Sequence, residues 1–194
     1  MDLARGSAAP ALPLAPGMQQ TILALAALLA FSIYMLTRHN VEAEFERVAI
    51  TAEMELAATD IATQRLSEVL ANAFDEADMG REGTRSTTVG LSTIGTADAD
   101  EPDESAFDDV DDYHTLTRAV VRPWQGEDLV FTDSISVRYV DPANPDSTLT
   151  PGTLTIAKEV MVTVFAAPVG FIGTPPIGAR LRQVATPATQ AAYR

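Results

Sequence analysis

Ile22-Leu-Ala-Leu-Ala-Ala-Leu-Leu-Ala-Phe-Ser-Ile-Tyr-Met-Leu36 is the stretch that decides how this chain is read. It lies within a longer run, residues 6–37, in which no side chain is charged. Residues 18–37 number 20, the length a helix needs to cross a hydrocarbon layer of about 30 Å. A core helix of a soluble protein carries polar residues on each turn, and this one does not. A cleavable secretory signal closes on small residues, whereas this stretch runs into Tyr34, Met35, Leu36, Thr37, Arg38 and His39. The expectation is one membrane span, with Ile22, Leu25, Leu28, Leu29, Ile33 and Leu36 meeting lipid or partner helices. Arg5 stands before it and Arg38 and His39 after it, so flanking charge does not orient it.

Residues 1–17 contain Pro10, Pro13 and Pro16, which rules out a continuous helix and marks a leader or flexible tail. From 18 to 79 there is neither proline nor glycine, so the helix is expected to continue past the membrane to about residue 75. Its transmembrane half covers 18–38 and its amphipathic half 39–79. Val41, Phe45, Val48, Ala52, Leu56, Ala62, Leu66, Val69 and Ala73 recur at steps close to the helical repeat. Glu42, Glu44, Glu46, Glu53, Glu55 and Glu68 fall on other faces, leaving a stripe that a folded domain must cover.

Gly80 and Gly83 end the periodicity, and residues 80–104 read as a loop. A β-rich domain is expected over 105–194, with its best strand signals at 128–140 and 153–165. In the first, Ile135, Val137 and Tyr139 alternate with Ser134, Ser136 and Arg138; in the second, Val160, Val162 and Val164 alternate with Met161, Thr163 and Phe165. Turn formers from Asp141 to Asp146 and at Pro151 and Gly152 join the two as an antiparallel hairpin with a long loop. A short further strand is expected at 180–185. A small antiparallel sheet laid on the helix stripe buries both apolar faces, which makes the fold α+β.

Composition narrows the function. At 194 residues the chain holds one modest domain plus a tail, or one elongated fold. Lys and Arg total 13 against 27 acidic residues, a net charge of −14, which repels a phosphate backbone and excludes nucleic acid as a partner. Lys158 is the only lysine. The absence of cysteine removes disulfides, thiolate zinc sites and thiol nucleophiles. His39 and His114 are the only histidines, and no phosphate-loop, dinucleotide or nucleophile-elbow pattern occurs. The expectation is therefore no enzyme, no catalytic residue, no cofactor and no small-molecule substrate. Asp108, Asp109, Asp111 and Asp112 offer hard oxygens suited to calcium, but the alternating acids and glycine of a calcium loop are missing. They read as a solvated acidic turn, with a bound cation as the alternative.

The order of parts is an apolar segment, an unbroken amphipathic helix, a loop and then three motifs. These are Phe107-Asp-Asp-Val-Asp-Asp-Tyr-His114, Ser136-Val-Arg-Tyr-Val-Asp141 and Lys158-Glu-Val-Met-Val-Thr-Val164. Over most of 18–167 this resembles bacterial type IV pilin-like proteins, in particular MSHA-type minor pilins and type II secretion pseudopilins. The resemblance implies a ladle of long helix and small sheet, and a non-enzymatic subunit of a filament or pseudopilus. It also implies prepilin-peptidase cleavage between Gly17 and Met18. The subunit would be anchored in the inner membrane with its C-terminal domain extracytoplasmic, and would move into a periplasmic or surface filament on assembly. Its partners would be membrane lipid and other pilin-like subunits, met through the helix. Pilins place a glutamate fifth in the mature chain, where this one has Ile22, and the Phe-Thr-Leu-Ile-Glu start and a basic leader are absent. That departure fits a minor or initiating subunit. It leaves open a single-pass anchored extracytoplasmic binding protein that does not polymerise.

Overall fold

The computed structural model describes residues 16–78, 84–95, 103–124, 126–166 and 177–187. The chain divides into two compact units, Met1–Ala49 and Ile50–Arg194. One helix, α1 (Pro16–Leu70), belongs to both. It starts two residues before the expected position because proline suits the first helical turn, where its missing N–H leaves no bond unmade. The rest of the expected leader, residues 1–15, lies outside the described residues. In the first unit every described helical side chain from Gly17 to Ala49 is exposed.

In the second unit the buried face of α1 is Met54, Ala58, Ile61, Ala62, Arg65, Leu66, Val69 and Leu70. Steps of three, four and one keep this set on one side of the helix. The expected stripe is correct at Ala62, Leu66 and Val69 but not at its start: Val41, Phe45, Val48 and Leu56 are exposed. The compact unit thus begins inside the helix, at Ile50.

The helix also ends earlier than expected, at Leu70, although no helix breaker follows until Gly80. A tertiary bond ends it. Ala73 donates its N–H to the Asp108 carbonyl at 2.9 Å and accepts the Val110 N–H at 3.1 Å, forming a short parallel bridge. Those backbone groups are then lost to the helical ladder. Residues Glu76–Asp78 form a single 3-10 turn, and Asp111–Tyr113 form another.

Four antiparallel strands follow in sequential order: β1 (Thr117–Trp124), β2 (Glu127–Tyr139), β3 (Lys158–Ala166) and β4 (Ile177–Ala185). The pairing of β2 with β3 across a long loop agrees with the sequence reading, with Val137 opposite Val160 and Ile135 opposite Val162. The second strand starts at Lys158, not 153, because Thr155 turns its hydroxyl onto the Val140 and Ala157 carbonyls at 2.7 and 2.9 Å. β4 is longer than expected. Its Gly178 lies against β3 so closely that a Cβ would stand 2.2 Å from the Val164 carbonyl oxygen.

β1 was not expected from the sequence. It is an edge strand whose inner face carries Arg118, Val120, Arg122 and Trp124, so two guanidinium groups mask the alternation. Pro123 is tolerated there because edge strands leave alternate N–H groups unpaired. Gly126, with φ 90°, makes the tight turn into β2.

The inner sheet face of Leu129, Phe131, Ile135, Val137, Val160, Val162 and Val164 packs with the buried face of α1 into one core. Its neighbours in the chain point the other way, as Val130 does at 52% exposure. Phe131→Ala is expected to cost about 3–5 kcal/mol in urea unfolding of the detergent-solubilised protein, while Val130→Ala costs less than about 1 kcal/mol.

Candidate functional site

Two features carry chemistry, one in each unit. The first is the apolar surface of α1. An 18-residue window of it has a mean hydropathy of 1.8 with none of its surface buried, so this helix is long and apolar enough to cross a membrane. Ile22, Leu25, Leu28, Leu29, Ile33 and Leu36 are all half or more exposed, as is Met18 beside Gly17. The serine and threonine hydroxyls in this stretch are satisfied within the helix. Thr21, Ser32 and Thr37 each donate to the carbonyl four residues earlier, Gly17, Leu28 and Ile33, at 2.8–2.9 Å. Such internal bonding is what hydrocarbon demands of a polar side chain.

The second feature is a buried ionic centre below the end of α1. Lys158 opens β3 in the same alternation that turns Val160, Val162 and Val164 inward, so its side chain enters the core and is wholly buried. Its Nζ donates to the Phe74 carbonyl at 2.6 Å, to Asp75 Oδ2 at 3.2 Å and to Asp111 Oδ1 in direct contact. The Phe74 and Tyr139 rings flank the ammonium at 4.7 and 5.3 Å. Ser92 bonds Asp75 through both N–H and hydroxyl, and its Oγ lies 2.5 Å from Asp111 Oδ2. Tyr139 donates to the Ser92 carbonyl at 2.8 Å.

The four acids expected to act together are divided. Asp109 and Asp111 are buried, at 3% and 6% exposure, so the turn is not the solvated one that the sequence suggested. Val110 and Tyr113, both in the core, draw it inward. Asp112 instead caps the turn, accepting the Asp109 N–H at 3.0 Å. Asp108 supplies the backbone carbonyl that holds Ala73. Oxygens of Asp75, Asp109 and Asp111 lie within 4.8 Å of one another, and the Lys158 ammonium is the cation that faces them.

Their protonation follows from this arrangement. Burial lifts the Asp75 carboxyl, but Lys158 and the Ser92 donors outweigh it and hold the group below its ordinary value. Asp109 goes the other way: burial, then the charge of Asp111, raises it to about 8 against the pull of Lys158. Burial and the charges of Asp75 and Asp111 keep the Tyr139 phenol neutral.

A second ionic group sits under the last two turns of α1. Arg65 is buried beside Asp133, with Nε 3.2 Å from Oδ2, and reaches Glu68 at 2.9 Å and Glu104 at 2.5 Å. Arg118 joins the same Asp133 oxygen at 3.1 Å. Burial lowers the Arg65 pKa, and its acidic partners more than restore it.

Lys158, Asp75, Ser92, Arg65 and Asp133 were not singled out from sequence as site residues. Strand parity identifies two of them: Lys158 shares the inward register of the β3 valines, and Asp133 that of Phe131 and Ile135. Asp75 and Ser92 carry no such signal. No family model, curated protein or solved structure matches this chain.

The unfolded Asp109 carboxyl ionises near 3.8 while the folded one holds its proton to about 8, so the folded state binds more protons between these values. This group therefore makes the protein less stable as pH rises from about 4 to about 8. Asp75 acts oppositely, adding stability above 3.8 that is lost as pH falls through its lower folded value. Melting curves across this range should show a falling midpoint that is flatter in Asp109→Asn; an unchanged slope in the variant would refute the assignment to Asp109.

Proposed function

We propose that this chain is a non-enzymatic structural subunit of a type IV pilus-like filament or pseudopilus, and a minor component of it. Before assembly its N-terminal helix is held in the inner membrane with the C-terminal domain extracytoplasmic. The observation that carries this reading is the apolar surface of α1 beyond the span. Val41, Phe45 and Val48 follow Arg38 and His39 on the helix, yet they are exposed at 48%, 71% and 57%. A helix that serves only as an anchor has no use for large apolar side chains past the membrane surface. A helix that packs among copies of itself does, because neighbouring subunits cover them.

Assembly then exchanges lipid contacts at Ile22, Leu25, Leu28, Leu29, Ile33 and Leu36 for helix contacts. The i−4 bonds of Thr21, Ser32 and Thr37 serve equally well in lipid and in a filament core. The charge of −14 gives such a filament an acidic character. Ile22 in place of the pilin glutamate favours a minor or initiating position, and it is also the feature that a non-polymerising anchored binding protein would share.

The deciding measurement is the mature N-terminus, by mass spectrometry, of protein from membranes and from sheared filaments, with and without prepilin peptidase. A peptidase-dependent start at Met18 supports the proposal; an uncleaved chain found only in membranes overturns it in favour of the anchored binding protein. Phe45→Glu should leave the protein in the membrane fraction and remove it from filaments. Leu28→Lys, which places a charge near mid-span at a cost of about 3 kcal/mol, should reduce membrane retention itself.

A further inference from the structure

Filament assembly makes no use of the most constrained group in the second unit, the only lysine of the chain. Lys158 Nζ touches Asp111 Oδ1, and neither side chain has access to solvent beyond the 6% exposure of Asp111. Phe74 and Tyr139 flank the amine, while Val110, Val137 and Val140 are buried around the same end of the sheet. We propose that Lys158 Nζ and Asp111 Cγ condense to an intramolecular amide, a covalent cross-link between β3 and the Asp111–Tyr113 turn.

The reaction balances without any co-reactant. The step begins with transfer of the ammonium proton across the contact to the Asp111 carboxylate, which leaves an amine beside a carboxylic acid. The Nζ lone pair attacks Cγ, forming the C–N bond. Asp75 Oδ2, 3.2 Å from Nζ, takes the proton that the nitrogen sheds and delivers it to the departing hydroxyl. The C–O bond breaks and one water leaves. Amine and carboxylic acid become amide and water, with no change of oxidation state.

Three observations favour condensation over a lasting ion pair. The Lys158 amine and the Asp111 carboxyl are held in contact in the interior, and intramolecular pairs of suitable orientation reach effective concentrations on the order of 10⁵–10⁸ M. Ser92 Oγ, at 2.5 Å from Asp111 Oδ2, fixes the rotation of the carboxyl. The enclosing apolar residues exclude the water that would reverse the step. The cross-link joins residues 47 apart in the chain. It would carry tension from the end of α1 into the sheet through a covalent bond.

The test is the intact mass of the folded full chain in detergent, followed by tryptic peptide sequencing. The expected protein is lighter than its sequence by one water, with peptide 86–118 joined to peptide 139–180 and no cleavage after Lys158. Lys158→Arg should have its full mass, and Asp75→Asn, checked for fold by circular dichroism, should be mostly uncross-linked. A folded wild-type protein at full mass that releases peptide 139–158 overturns the proposal. So does a water loss confined to a single peptide, which is cyclisation of one aspartate. A fully cross-linked Asp75→Asn would overturn the relay role of that residue. The wild-type reading stands whether or not the variants fold.

Discussion

The burial of one face of α1 against one face of a four-stranded sheet is the constraint on which the second unit depends. Met54, Ala58, Ile61, Ala62, Leu66, Val69 and Leu70 share one core with the inner residues of β2 and β3 and with Phe74, Leu91, Val110 and Tyr113 from the chain that connects them. Removing that apolar surface from water is the main driving force available. A slip of one residue in any strand would turn the valines of β3 out to solvent, so the same burial also sets the register.

Into this apolar interface the chain places Arg65, Lys158 and several aspartates. A buried ion pair contributes little net stability over apolar residues of the same size, but an unmatched one costs several kcal/mol, on the order of 3–5. Arg65 opposite Asp133, and Lys158 opposite Asp75 and Asp111 while the chain folds, therefore act mainly against wrong arrangements. Each pair joins a different part of the fold: Arg65 ties helix to β2, and Lys158 ties β3 to the chain that leaves the helix. The bridge between Ala73 and Asp109 brings the acidic turn to the lysine, and the helix yields its last expected turns to make it.

The first unit obeys the opposite rule. Its large apolar side chains are exposed along the helix up to Ala49, and its serine and threonine hydroxyls bond back to the helix itself. Water is a poor solvent for such a surface, whereas lipid or other helices are good ones. One continuous helix thus carries two solvent requirements, and the change between them falls near Ile50.

The membrane-length apolar stretch, the absence of helix breakers from 18 to 79, the β2 and β3 alternation and the long hairpin loop were all legible in the sequence. Each is a local periodicity or a local propensity, and neighbours in the chain reveal it. Strand β1 was hidden because its inner face carries Arg118 and Arg122, whose partners Asp133 and Gln64 lie elsewhere in the chain. The helix end at Leu70 was hidden because residues 71–79 favour helix, and only the bond of Ala73 to Asp108 and Val110 overrides them. The acidic run read as solvated for the same reason: its composition is that of a surface, and only the packing of Val110 and Tyr113 turns Asp109 and Asp111 inward to Lys158. By itself the sequence determined which segments are apolar and with what period; which charges meet in the interior was decided by tertiary contacts, because a buried charge is placed by a partner far away in the chain.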